Sequence, residues 1–197
     1  MLNLPLWAQI GANLFSLALA LVMGWDPKLL LFLFWMENVI IGLWQLPRFL
    51  LADAKSLAEA LFKAGFFTVH YGLFTFIHGS LLFELFLKQT LDMQTLETLV
   101  FSTSGITLAL LGMLLSHGIQ FFNDLLTGVT GNTSTAKVMM EPYSRIVIMH
   151  LVLLASAFLL SLLPHPVIGV ILLSAIKILM DIYNERKIEK KRKTHVS

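Results

Sequence analysis

Five side chains able to exchange protons or bind metal sit inside apolar runs of this chain: Glu37, His70, His78, His117 and His150. His70 and His78 share the stretch FFTVHYGLFTFIHG, residues 66–79, with Tyr71 between them. An ionisable group in such surroundings is costly unless paired, and so marks a functional site by default. Neutral imidazole is the commonest metal ligand in proteins. Three histidines with an open position form the ligand set of a catalytic zinc, and histidine with carboxylate also suits iron. The chain has no cysteine, so any ion must be held by nitrogen and oxygen. No H-E-x-x-H is present, which makes this a constellation drawn from several segments instead of a local motif. We expect a buried polar centre holding a divalent metal ion, zinc or iron, with copper also admissible. The expected ligands are His70, His117, His150, His78 and Glu37, with Glu37 and His78 also the expected catalytic groups. The plainer alternative is that each of these residues hydrogen-bonds a neighbouring helix.

The elements that must position these groups are membrane helices. The 197 residues are 57% hydrophobic and 13% charged, with a mean hydropathy of +0.79. Soluble domains carry about 25% charged residues, so this chain cannot cover itself with polar surface. A span needs about 20 mostly apolar residues. Six segments qualify: 4–23, 28–51, 64–87, 100–126, 143–163 and 167–183. Gly24-Trp25-Asp26-Pro27 closes the first, and Pro47 with Arg48 marks the far end of the second. Residues 52–63 read as a separate amphipathic piece, 88–98 and 127–142 as connections, and Pro164-His165-Pro166 as a hairpin break. The start, MLNLPLWAQIG, lacks a basic region, so no cleavable signal is expected. The expected fold is an all-α polytopic membrane helix bundle of about six transmembrane helices, residues 1–184, with a basic cytoplasmic tail, 185–197.

Loop charges orient the bundle. With both termini in the cytoplasm, Arg48, Lys55, Lys63, Lys137, Arg145 and six Lys/Arg of the tail lie inside, against Lys28 and Lys88 outside. The tail would also be drawn to anionic lipid head groups, if it does more than fix topology. At 1.5 Å rise per residue, counted from the inner ends, His70 lies about 9 Å deep, His117 about 13 Å and His150 about 10 Å. Glu37 and His78 lie about 20 Å deep on the same count. This predicts a lower layer of three histidines on one ion and an upper Glu37/His78 layer that shares a proton or a second ion.

Several polar residues take simpler roles. Arg145, near Tyr143 at the inner interface, is expected to snorkel to head groups, with a gate or an anion clamp as the functional option. Asn123 and Asp124 close the fourth segment. Lys177 and Asp181, spaced i,i+4, can pair on one face of the last segment. Gly72, Gly79, Gly112 and Gly118 are expected to permit close helix contact. His165 and His195 are expected to be exposed and uninvolved.

These motifs give the chain a resemblance. FWMEN at 34–38, the 66–79 stretch, SHGIQFFN at 116–123, EPYSRIVIMH at 141–150 and the Lys177/Asp181 pair are together similar to a widespread prokaryotic family of small integral-membrane proteins, catalogued only as a domain of unknown function. The resemblance implies a multi-pass protein of a prokaryotic inner membrane whose polar residues share one centre, and supplies no activity. Rhomboid-type proteins are also six-helix, but Ser102-Thr103-Ser104-Gly105 has Ser102 where the first glycine of their nucleophile motif belongs. A serine-protease reading is not adopted.

Three functions compete. The first is a non-haem metalloprotein, as an enzyme acting on a lipid or other apolar substrate, with the ion activating water or oxygen. The second is a transporter or proton-coupled carrier using the histidines and Glu37 as relay groups. The third is a b-type haem protein with His70 and His150 as axial ligands. A purely structural role for the polar groups is the remaining option. Membrane lipids are the expected surroundings, and no nucleic-acid partner is expected.

Overall fold

Helices begin where the sequence supplies caps. In the computed structural model, which describes residues 4–151 together with Ala175 and Leu179, all regular elements are helical. Helix α1 is Leu4–Val22. The turn after it uses Gly24 at φ +64°, and the Asp26 side chain then accepts the Lys28 N–H at 2.9 Å to cap α2, Pro27–Leu51, with Pro27 in the first turn. Ser56 caps α3, Leu57–Leu82, by accepting the Glu59 N–H at 3.2 Å, while Glu59 in turn accepts the Lys55 N–H at 3.0 Å. A π-helical turn, Phe83–Leu87, extends α3 and ends at Lys88 with φ +56°.

Four boundaries differ from expectation, each because a cap decides it. The piece 52–63 is not separate, since the Ser56/Glu59 cap starts α3 at Leu57. The connection 88–98 contains α4, Met93–Glu97, capped by Asp92. The next span begins at Ile106, not 100, because Gly105 adopts φ +85°; a π-helical turn, Thr98–Ser102, precedes the break, and α5 is Ile106–Leu126. The loop 127–142 holds α6, Thr135–Met140, capped by Ser134. A further helix, α7, starts at Tyr143 as expected and is described to residue 151. The rest of that segment, the sixth segment apart from Ala175 and Leu179 and so including Lys177 and Asp181, and His165, His195 and the basic tail lie outside the described residues.

Helix α2 is central. Its most apolar stretch is 56% buried, against 39% for the equivalent stretches of α3 and α5, and it packs against α3, α5 and α6. Helix α1 packs on α5. The core around Leu30, Leu31, Phe32, Leu33, Phe83 and Ile106 is apolar throughout. Among the described residues, three helical stretches are long and apolar enough to cross a membrane: Pro27–Leu51, Leu57–Leu87 and Ile106–Leu126. Their outward faces carry Leu43, Phe62, Val69, Phe76, Leu108 and Leu115, all exposed. Such a surface suits hydrocarbon and not water.

Of the four glycines expected at close contacts, two set how closely these helices approach. A Cβ on Gly79 would lie 2.6 Å from the Trp35 ring, and one on Gly118 would lie 3.0 Å from the Trp44 ring. Gly72 has nothing within 4 Å and Gly112 only an ordinary contact with Phe15, so those two do not serve the close-contact role expected of them.

Candidate functional site

Polar side chains of α2, α3, α5 and α7 pair with one another; Glu37, His78 and His117 are buried, whereas His70 is half-buried and His150, expected in the buried centre, is exposed. On α2, Glu37 is 6% exposed, and its Oε1 lies 3.1 Å from Nε2 of His117 on α5, itself 5% exposed. Nη1 of Arg145 on α7 lies 3.9 Å from the same carboxylate oxygen. Farther along both helices, Arg48 of α2 donates to Asp124 of α5 at 2.9 Å, and its other terminal nitrogen stands 3.7 Å from Glu141. Two rungs in the same order on each helix mean that α2 and α5 run parallel.

Helices α3 and α7 form a second parallel pair. His70 Nδ1 lies 2.7 Å from the Tyr143 hydroxyl, and His78 Nε2 lies 3.1 Å from His150 Nδ1. The proton positions in the second rung follow from its surroundings. His78 Nδ1 faces the Phe74 carbonyl oxygen at 2.7 Å, and a carbonyl only accepts, so Nδ1 carries the hydrogen. In neutral His78, Nε2 is then the acceptor, and His150 must donate from Nδ1. Asn38 holds this region together. Its amide donates to the Phe34 carbonyl and to Met149 Sδ at 3.0 Å, and its backbone carbonyl accepts the Tyr71 hydroxyl at 3.0 Å.

These groups are not the layers drawn from the sequence. His70, His117 and His150 do not converge; each has a different partner. Glu37 pairs with His117, and His78 with His150. Counting depth from inner ends assumed that those ends are coplanar, which they are not. Helix α3 starts at Leu57, thirteen residues before the level at which α7 begins. Counted from the opposite ends, Glu37 is ten residues after Pro27 and His117 eleven after Ile106, about 15 and 16 Å along their helices, which is one level. Among the described residues no three His, Asp or Glu side chains are grouped to hold a metal ion. Arg145 does not snorkel: its side chain is 17% exposed and turned toward Glu37.

Below Glu37 and His117 lies a polar cleft of about 60 Å³, lined by Trp44, Gln45, Arg48, His117, Gln120 and Arg145 among others. Several of these were not singled out in the sequence. The signal was available as helical spacing. Residues 37, 41, 45 and 48 fall on one face of α2, and 117, 120 and 124 on one face of α5. On α1, Gln9, Asn13 and Ser16 form a similar buried stripe, and Gln9 donates to Gln120 at 2.6 Å. A second, apolar groove of about 290 Å³ lies between α2 and α3, lined by Trp35, Leu43, Leu46, Phe67, Tyr71 and Thr75 among others.

Apolar outer faces around a paired ionic interior define the class: over the described residues, an all-helical arrangement with three helices long and apolar enough to cross a membrane and a buried polar centre. All of the chain, residues 1–197, matches the model of a family of unknown function, DUF6498, and the chain belongs to that family. No curated protein and no solved structure matches it.

Proposed function

We propose that the chain is a proton-coupled carrier of the cell membrane, with six spans in residues 1–184, both termini in the cytoplasm and a basic tail, 185–197, beside anionic lipid. Glu37 and His117 exchange the proton. Arg145 holds a positive charge beside the carboxylate, and the cleft below them is the opening to the cytoplasm. One observation carries the reading: a buried carboxylate 3.1 Å from a buried imidazole, next to a polar cleft that the same imidazole lines. A single proton satisfies this pair in either of two places, as Nε2–H donating to a carboxylate or as a carboxyl O–H donating to Nε2. Such a pair can pass a proton on without leaving a bare charge in hydrocarbon.

The test is proton uptake by liposomes containing the purified protein and a trapped pH-sensitive dye, under an imposed pH gradient. Wild type should acidify the lumen faster than empty liposomes, and Glu37→Gln should reduce the rate at least tenfold. Equal rates for wild type and Glu37→Gln would overturn the assignment.

A second reading has its own support. With metal–nitrogen bonds of about 2.0–2.1 Å, two imidazole nitrogens 3.1 Å apart subtend roughly 100° at one ion, a normal ligand angle. The Phe74 carbonyl fixes the His78 tautomer, as partners of metal-bound histidines do. On this reading His78 and His150 hold zinc, iron or copper, and the apolar groove takes a lipid or other apolar substrate. Metal content should then fall in His78→Ala and His150→Ala and persist in His70→Ala. Equal content in all three would end this reading.

A further inference from the structure

We infer that the apolar groove between α2 and α3 is the seat of a single acyl chain of a membrane phospholipid, held unreacted as part of the packing between the two helices. The inference rests on the membrane placement proposed above and on neither the proton pair nor the metal pair.

The chemistry of the lining sets the kind of occupant. The groove lies wholly within two of the stretches long and apolar enough to cross a membrane. Trp35, Phe67 and Tyr71 form the buried part of its lining, while Leu43 and Phe76 are each 58% exposed. The polar atoms of the lining are already engaged. The Trp35 indole N–H donates to the Thr75 carbonyl at 2.7 Å, the Tyr71 hydroxyl to the Asn38 carbonyl at 3.0 Å and the Thr68 hydroxyl to the Ala64 carbonyl at 2.8 Å. The Thr75 hydroxyl oxygen is fully buried and offers no surface to the groove. What remains for an occupant is hydrocarbon and ring surface, so the occupant is apolar.

The dimensions select a lipid chain. The lining runs along α2 from Trp35 to Leu46 and along α3 from Phe67 to Phe76, about 17 and about 14 Å at about 1.5 Å per residue. Half of a hydrocarbon core about 30 Å thick is about 15 Å, so the groove is as long as one leaflet is deep. A volume of about 290 Å³ over about 15 Å leaves a cross-section of about 20 Å², room for one extended hydrocarbon chain. A helix, about 10–12 Å across, is too wide to lie in it. Gly72 keeps the room open, since a Cβ there would meet nothing within 4 Å. An unfilled groove forfeits the contacts of its walls, and an acyl chain fills it without asking for a hydrogen bond.

Fluorescence quenching tests this in liposomes of phospholipid carrying bromine on the acyl chains, with single-tryptophan forms of the full chain. One form keeps only Trp35 and the other only Trp7, every other tryptophan being replaced by phenylalanine. Trp35 is 6% exposed and Trp7 is 57% exposed. Bromine should quench both, Trp35 because a chain lies against it. Gly72→Leu fills the groove from a position with open space, so it should at least halve the quenching of Trp35 and leave that of Trp7 unchanged. Trp7 quenched with Trp35 unquenched, or Trp35 quenched equally with and without Gly72→Leu, would overturn the seat. No quenching of either would remove the membrane placement and the seat with it. Native mass spectrometry in detergent reads the same site with all tryptophans in place. One phospholipid should stay bound to wild type and none to Gly72→Leu, and equal retention would also overturn the seat. Failure of the proton-uptake experiment would remove the carrier and leave this inference standing.

Discussion

Arg48 and Asp124 meet at 2.9 Å with the aspartate fully buried and the arginine side chain 11% exposed. Removing one partner of a buried pair leaves the other charge uncompensated, at about 3–5 kcal/mol. We predict that Arg48→Gln lowers stability by that order, and that adding Asp124→Asn recovers most of the loss. Unfolding in mixed detergent measures both; a double variant no more stable than the single would contradict the pairing. The His78 tautomer makes a second prediction at this scale. Nitrogen NMR of labelled histidine should find the hydrogen of neutral His78 on Nδ1 and that of His150 on Nδ1 also. A bare Nδ1 on His78 would remove the Phe74 contact from the account. The sequence marked Glu37, His70, His78, His117 and His150 as buried because each sits in an apolar run; Glu37, His78 and His117 are buried, His70 is half-buried and His150 is exposed. It could not supply their partners. Pairing depends on how far each helix is shifted along its axis, and no residue in the chain encodes that shift locally.

At the scale of elements, close contact between helices depends on the absence of single side chains. Gly79 faces Trp35, whose indole N–H donates to the Thr75 carbonyl at 2.7 Å. Gly79→Ala should therefore push the ring off this bond and cost about 1–3 kcal/mol, the usual penalty for overpacking. Gly72→Ala, with open space around it, should cost much less. Comparing the unfolding midpoints of the two variants checks this, and similar losses would show the close approach to be unimportant. The long helices were legible from apolar length alone. Short α4 and α6 were not, because five or six residues have no apolar periodicity to read. Their caps, Asp92 and Ser134, were the available signal. Gly42 was also overlooked as a contact position; its Cβ would lie 2.9 Å from the Tyr71 ring.

At the scale of the molecule, the charge asymmetry of the loops argues for the cytoplasmic placement of both termini. Reporter fusions at residue 90 and after Lys193 should then report opposite sides of the membrane. The same side for both would contradict the six-span arrangement. With this orientation the Arg48/Arg145 cleft opens toward the cytoplasm, and Glu37 and His117 lie about 15 Å from the outer ends of their helices, near the middle of a bilayer core about 30 Å thick. Central α2 carries both Glu37, the carboxylate proposed to exchange the proton, and the cleft residue Arg48, so a small shift of this one helix would move both groups together.

That Glu37 itself gains and loses a proton is the claim on which the carrier depends. Infrared difference spectroscopy of the membrane-embedded protein measures it directly, through the C=O stretch of a protonated carboxylic acid on acidification. The account predicts a band that appears on acidification, shifts in heavy water, disappears in Glu37→Gln and persists in Asp92→Asn. A band unchanged in Glu37→Gln, or no exchangeable carboxyl band in wild type, would contradict it.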